Sequence, residues 1–180
     1  MTDKDEYAIV LDYLPYGYPI DGKHLPLAQA IGEKTWVLLE LVPRRGVSLE
    51  QKERVYIGPE KREKIHYING RLAFDRITES TKMQLQEFIG ERVKERENEI
   101  IDFFNSAQAI NTRLHQLELL PGFGQKHTQE ILTAREEKKF ESFDEIKERV
   151  SNIPDPKKAV EKRIFDELVH KQRFYLFVKG

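Results

Sequence analysis

Residues 117–127 read LELLPGFGQKH, and this stretch indicates two short helices joined by a tight turn. Pro121 favours the end of the first helix, because a proline ring cannot continue the helical hydrogen-bond pattern. Gly122 and Gly124 allow backbone conformations that are closed to residues with a side chain. Phe123 lies between the two glycines and is predicted to anchor the turn in a hydrophobic core. The stretch therefore predicts a helical hairpin.

The second helix of this hairpin begins with backbone N–H groups that have no partner within the helix, at the positive end of its dipole. Such a helix start is suited to a phosphate group, and Lys126 can add a charge-assisted contact. The pattern resembles the helix-hairpin-helix motif, which contacts nucleic-acid phosphates without reading base sequence. A turn that serves only packing or protein contact is the alternative. The predicted nucleic-acid-binding residues here are Gly122, Phe123, Gly124, Lys126 and His127.

Residues 152–158, NIPDPKK, fall where a second hairpin is expected, but both glycines are missing. Asp155 would repel a phosphate, so we interpret it as a helix cap that completes a paired-hairpin fold. Pro156 suits the first helical turn that follows. Lys157 and Lys158 remain candidates for contacts with a nucleic-acid backbone.

The first 80 residues carry short apolar segments separated by turns, which is typical of a small barrel. OB-like and SH3-like barrels both fit this pattern. The predicted strands are residues 7–14, 36–42, 54–57 and 64–68, with a hairpin at Asn69–Gly70 leading into residues 72–74. Residues 173–178 return to strand composition, and we expect that strand to dock on the barrel, since an isolated strand cannot satisfy its backbone.

The fold class is thus predicted to be α+β: a small OB-like β-barrel, an all-α helix-hairpin-helix domain, and a C-terminal strand that returns to the barrel. The barrel is assigned to residues 1–79, with residues 172–180 as the returning strand. A charged connecting helix takes residues 80–104, and the helix-hairpin-helix domain takes residues 105–171.

Basic residues in the barrel region are interleaved with aromatic residues, a combination that binds single-stranded nucleic acid. A solvated basic surface over buried aromatic residues is the alternative. Tyrosines 13, 16 and 18, near a Pro/Gly loop, are further candidates for base stacking. The interleaved residues are Arg44, Arg45, Lys52, Arg54, Lys61, Arg62, Lys64, Arg71 and Arg76, with Tyr56, His66, Tyr67 and Phe74.

Composition excludes several classes of protein. The 180 residues include no cysteine, which excludes disulfides, zinc–cysteine sites and a thiol nucleophile. The five histidines have no close ligand spacing, and no carboxylate pair lies in a recognisable motif. We therefore expect a non-enzymatic protein with no catalytic residue, metal or cofactor. No apolar run approaches a membrane span and no signal peptide is evident, so a cytoplasmic protein that does not bind membranes is expected.

Residues 103–107, 113–122 and 140–143 resemble a family of archaeal proteins of unknown function that are described as predicted RNA-binding. The similarity covers most of the chain and is densest over about residues 98–150. The resemblance implies an N-terminal β-barrel, a helix-hairpin-helix domain and nucleic acid as the partner, with RNA favoured over DNA. It implies no reaction. The alternatives are a protein–protein interaction module in a translation or DNA-repair assembly, and a hydrolase that acts on nucleic acid.

Overall fold

The computed structural model describes residues 4–179 and is a mixed α+β structure. Five antiparallel strands form one curled sheet in the order β4-β1-β2-β3-β5. Within the described residues, β4 and β5 at the two ends of this order are not paired, so the sheet is a half-barrel. The strands are β1 (Tyr7–Leu14), β2 (Leu27–Gly32), β3 (Leu38–Pro43), β4 (Arg54–Tyr56) and β5 (Ile65–Arg71).

The predicted strands at residues 7–14, 36–42 and 54–57 correspond to β1, β3 and β4, whereas β2 was not predicted. Every residue of β2 is buried, including the fully buried amide Gln29. The Gln29 amide carbonyl accepts hydrogen bonds from the Thr81 hydroxyl at 2.6 Å and the Thr78 N–H at 3.1 Å. Its amide nitrogen donates to the carbonyl of Arg76 at 2.6 Å. Tertiary hydrogen bonds therefore allow a polar residue inside a buried strand.

The helices follow the sheet along the chain. Thr78 accepts a hydrogen bond from the N–H of Thr81 at 3.1 Å, which caps the first helix. The expected connecting helix is divided near Arg96 into two helices. The five α-helices are α1 (Glu79–Glu95), α2 (Glu97–Ser106), α3 (Gln125–Glu137), α4 (Phe143–Arg149) and α5 (Pro156–Val169). Short 3-10 helices lie at Pro19–Asp21, Phe74–Arg76 and Gln116–Leu119.

Two strand predictions are wrong. β5 continues through Asn69 and Gly70 to Arg71, so no hairpin forms there. The predicted returning strand is absent from residues 172–179, while residue 180 lies outside the described residues. Instead, the backbone N–H groups of residues 176, 177 and 178 donate to the buried carboxylate of Glu167 at 2.9, 3.0 and 2.9 Å. A side-chain acceptor thus takes over the role that a neighbouring strand was expected to play.

The described chain divides into two compact units, and the divisions fall within α1 and α5. Unit 1 comprises the described residues up to Glu87 and those from Glu167 onward, and unit 2 is Phe88–Asp166. The domain boundaries at residues 79, 104 and 171 stay predictions. Across residues 4–179, the helices are too short or too polar to cross a membrane.

Candidate nucleic-acid interface

The glycine turn, defined as residues 120–124, forms a tight bend before α3. Within this bend, the N–H of Phe123 donates to the carbonyl of Leu120 at 3.0 Å. Gly122 has a φ of +84°, which is the left-handed region, and a Cβ added there would lie 3.2 Å from the Cγ atom of Pro154. Both the backbone angle and the close neighbour therefore require glycine at this position.

Phe123 anchors this turn. Its side chain is 5% exposed, and its ring centroid lies 6.5 Å from that of Phe104. Phe104 is fully buried and also contacts Phe143 edge-to-face, with the centroids 6.2 Å apart. Of the predicted binding residues, Phe123 thus has its ring in the core of unit 2, and only its backbone can face a ligand.

The start of α3 has open backbone donors. Gly124 precedes the helix, and its carbonyl accepts from the N–H and the hydroxyl of Thr128 at 3.1 and 3.0 Å. Among residues 4–179, no protein acceptor is assigned to the N–H groups of Gln125, Lys126 and His127. Gly124, Gln125 and Lys126 are exposed. Three adjacent donors at the positive end of α3, beside an exposed lysine, form a site for an anion.

The ring of His127 makes two contacts within unit 2. Its Nδ1 accepts a hydrogen bond from the N–H of Gly124 at 3.1 Å, so the proton of the neutral ring lies on Nε2. Nε2 is 3.2 Å from the carbonyl oxygen of Asn152 and donates to it. Both ring nitrogens are therefore used within unit 2, and the ring of His127 joins the glycine turn to residue 152, while a role of His127 in binding stays a prediction.

The aspartate turn, defined as residues 150–155, precedes α5 as the glycine turn precedes α3, and it is one residue longer. Asn152 has a φ of +59°, matching Gly122 at +84°. Asparagine is among the residues that adopt this conformation most readily, so the missing glycine was replaced without loss of the bend. At the head of α5, the carboxylate of Asp155 accepts from the N–H of Lys158 at 3.2 Å. The prediction that Asp155 caps a helix agrees with this contact.

The cations near the aspartate turn differ in their surroundings. Lys157 forms an ion pair with Glu161 at 3.3 Å, while Lys147 is 3.7 Å from Asp155. Lys158 is exposed. The head of α5 thus already holds an anion of the protein itself, whereas the head of α3 does not.

Each turn follows a short capped helix. Ser142 accepts from the N–H of Glu145 at 3.0 Å before α4, and the carboxylate of Glu145 accepts from the N–H of Glu141 at 3.0 Å. His115 has the same role before the Gln116–Leu119 helix, where its Nδ1 accepts from the N–H of Leu117 at 3.1 Å. Burial, and second the charge of Arg135, hold the pKa of His115 below its ordinary value. The neutral ring that capping requires is therefore favoured.

Unit 1 holds the interleaved basic and aromatic residues, and many of these cations are used internally. Arg54 is paired with Glu33 at 2.6 Å and lies over the ring of Tyr7. Lys64 is paired with Glu53. These contacts favour a solvated, internally neutralised surface around β4. His66 and Tyr67 are exposed and line a cleft together with Arg44 and Arg45.

Metal-ligating residues are not clustered in the part of the chain that the structure describes. Within residues 4–179, no three or more histidine, aspartate or glutamate side chains are grouped closely enough to hold a metal ion.

The chain belongs to the DUF655 family, described as proteins of unknown function, whose sequence model matches residues 4–179. It is 43% identical over 177 residues to an uncharacterized protein of Methanocaldococcus jannaschii, covering 97% of this chain and 80% of that protein. It is also similar to the crystal structure of Af1531 from Archaeoglobus fulgidus, assigned to the same family. That similarity has a TM-score of 0.80 at 39% identity and covers 97% of this chain and all of the other.

Proposed function

We propose that this protein is a non-enzymatic, cytoplasmic nucleic-acid-binding protein that holds the phosphate backbone at the glycine turn and the head of α3. The observation that carries the proposal is the contrast between two related turns in unit 2. The head of α5 is capped by the carboxylate of Asp155, whereas the N–H groups of Gln125, Lys126 and His127 have no assigned acceptor among the described residues. A phosphate oxygen supplies the missing negative charge.

The finer fold assignment is part of this proposal. Residues 105–171 are proposed to be a paired helix-hairpin-helix domain, supported by the left-handed residues Gly122 and Asn152 and by the capped helix before each turn. The half-barrel is proposed to be OB-like, supported by five strands in which β1 pairs with β4 and β3 pairs with β5. A partly open five-stranded barrel of this kind is a frequent nucleic-acid-binding fold.

RNA is proposed as the preferred ligand over DNA, and this preference rests on the sequence resemblance described above. Phosphate contacts at backbone amides carry no base information, so limited sequence specificity is expected. The proposed contacts are the backbone N–H groups of Gln125, Lys126 and His127 and the side chain of Lys126, with Gly124 leaving the approach open and Lys158 as a peripheral cation.

The test is a fluorescence-anisotropy titration with single- and double-stranded RNA and DNA at several salt concentrations. Lys126→Glu is expected to weaken binding about 10-fold or more and to reduce the salt dependence by about one contact. An acidic residue in the first turn favours the helix dipole, so this variant should remain folded.

Lys138→Glu is the matched control. Lys138 follows the last turn of the same helix, about 18 Å along the axis from Lys126, and is also exposed. The proposal expects the control to bind within about 2-fold of wild type, since it removes no phosphate contact. Equal losses of affinity in both variants would show that net charge alone causes the effect. An unchanged affinity in Lys126→Glu would show that the head of α3 is not the binding site. Binding of a protein partner that is insensitive to salt would instead favour the protein-interaction alternative.

A further inference from the structure

A cleft in unit 1 has a volume of about 850 Å³, which is within the range of ligand sites. It lies among the β1–β2 loop, the β3–β4 loop and β5. The β1–β2 loop begins and ends at the paired residues Leu14 and Leu27. Gly17 has a φ of +69°, and a Cβ there would lie 2.6 Å from the carbonyl oxygen of Leu25, so the loop is folded tightly onto itself. We define the tyrosine cleft by its lining residues Tyr13, Tyr18, Lys23, Arg45, His66 and Tyr67.

Two aromatic side chains of this cleft, His66 and Tyr67, are exposed, and a third, Tyr18, is fixed by hydrogen bonds. Tyr18 is held in place, because its hydroxyl donates to Glu40 at 2.7 Å and accepts from the Gln29 amide at 3.1 Å. Tyr67 is 45% exposed and contacts the ring of His66 edge-to-face, with the centroids 5.1 Å apart. An exposed ring supported by a second ring offers a flat face that a base can stack on.

The charges at the cleft favour an anionic ligand. Of the two acidic residues in its lining, Asp21 is paired with a cation, through a double contact with Arg76 at 3.0 Å, whereas Glu40 accepts from the neutral side chains of Tyr18 and Asn69. The lining cations Lys23, Arg44 and Arg45 therefore outnumber the one acidic residue that no cation neutralises. Among the described residues, no acceptor is assigned to the exposed cations Lys23 and Arg45. The cleft therefore presents positive charge to solvent beside aromatic faces, and an acidic group of a ligand would complement it.

We propose that the tyrosine cleft binds unpaired nucleotides of a nucleic-acid strand, with a base on the Tyr67 ring and phosphates at Lys23 and Arg45. This inference rests on the proposed function and deepens it, since it assigns single-stranded segments to unit 1. The bases of a duplex are stacked on each other and cannot offer their faces to the rings. Tyr16 lies on the same loop, is 73% exposed, and is not part of the cleft lining.

The experiment uses the full chain and two classes of probe: single strands of about ten nucleotides, within the site size of OB-type folds, and blunt duplexes of the same sequence. RNA and DNA versions of each probe distinguish the two sources of the strand. Tyr67→Ala is expected to weaken single-strand binding by about 5- to 150-fold, which corresponds to one lost stacking contact. Duplex binding is expected to change less than about 2-fold, because duplexes do not enter the cleft.

Three variants control this result. Tyr67→Phe keeps the ring and should restore most of the single-strand affinity. Tyr16→Ala makes the same truncation outside the cleft and should leave both affinities unchanged. Arg45→Glu should weaken single-strand binding more than duplex binding.

The outcomes separate this inference from the proposed function. Suppose that wild type binds single strands, and that Lys126→Glu weakens this binding but Tyr67→Ala does not. The tyrosine cleft is then not the binding site, while the helix-hairpin-helix proposal stands. Equal losses for Tyr67→Ala and Tyr16→Ala also overturn the cleft assignment. If wild type binds none of the four probes, the proposed function itself is rejected.

Discussion

The glycine turn and the aspartate turn each contain a left-handed residue before a helix, but they differ in what occupies the first amides of that helix. Gly122 and Asn152 both adopt left-handed angles, and each turn leads into a long helix. At the head of α5, the carboxylate of Asp155 accepts from one first-turn amide, the N–H of Lys158. At the head of α3, the residue that precedes the helix is Gly124, which has no side chain to fill that place. The amides at the start of a helix after such a bend can therefore either be capped by a side chain of the protein or stay available to a ligand.

The largest expected effect comes from making the two turns alike. Gly124 has an extended backbone, and a Cβ there meets open space, so Gly124→Asp should fold normally. The new carboxylate would occupy the open amides of α3 as Asp155 does in α5, and charge-assisted contacts are worth about 1.5–3 kcal/mol. Nucleic-acid affinity should fall about 10- to 150-fold in an anisotropy titration, with the thermal midpoint unchanged or raised.

Gly124→Asn is the uncharged counterpart of that variant. It can cap the helix equally well but does not repel a phosphate, so its loss of affinity should be smaller. Full affinity in Gly124→Asp would contradict the assignment of these amides to a phosphate.

Substitutions at the left-handed residue of each turn are expected to differ in their effect on stability. Gly122→Val should lower the free energy of unfolding by about 1–3 kcal/mol, because valine at a left-handed angle is strained and its Cβ crowds Pro154. Asn152→Gly should change it by less than about 0.5 kcal/mol, since glycine adopts the same angle freely. Urea denaturation measures both. An equally small effect of Gly122→Val would show that the turn has room to rearrange.

His127 links the two turns, so its removal should affect stability before binding. His127→Ala leaves the Gly124 N–H and the Asn152 carbonyl without this partner and should cost about 0.5–1.5 kcal/mol. Its nucleic-acid affinity should stay closer to wild type than that of Lys126→Glu. If the two variants bind equally weakly at a temperature where both are folded, His127 contacts the ligand after all.

The smallest effect concerns pH. The pKa of His115 is held below its ordinary value of 6.5 by burial and by Arg135, so the unfolded chain takes up a proton more readily than the folded one. The contribution of neutral His115 to the free energy of unfolding is complete above about pH 6.5, and it is lost as the pH falls through the pKa of His115 in the folded state. His115→Ser copies the cap at Ser142 and should flatten this part of the stability–pH curve, measured by denaturation at several pH values. An unchanged slope of the stability–pH curve in His115→Ser would show that another group causes this pH dependence.

Local chemistry allowed much of unit 2 to be predicted. Pro121, Gly122 and Asp155 act through their own backbone or the next turn, so the sequence indicated the bend and the Asp155 cap correctly. The left-handed role of Asn152 was missed, although its residue type was a signal that could have revealed it. The engagement of His127 depends on residue 152 and could not be read from neighbouring residues.

Unit 1 was predicted less completely because its deciding contacts are distant in sequence. β2 was missed, since a buried Gln29 is acceptable only with Thr78 and Thr81 placed beside it. The returning strand was expected because residues 173–178 have strand composition, but the carboxylate of Glu167 satisfies the amides of residues 176–178 instead. The tyrosine cleft likewise combines two loops and a strand that no sequence window joins.

The most direct test of the central claim is an amide NMR titration of the ¹⁵N-labelled protein with a short single-stranded RNA. The two turns serve as each other's control within one sample. We expect the N–H signals of Gln125, Lys126 and His127 to shift most strongly within unit 2, while the N–H of Lys158, which donates to Asp155, shifts less. If the protein is saturated with RNA and the signals of residues 125–127 do not move, these amides do not bind the phosphate. A larger shift at Lys158 than at residues 125–127 would contradict the assignment as well.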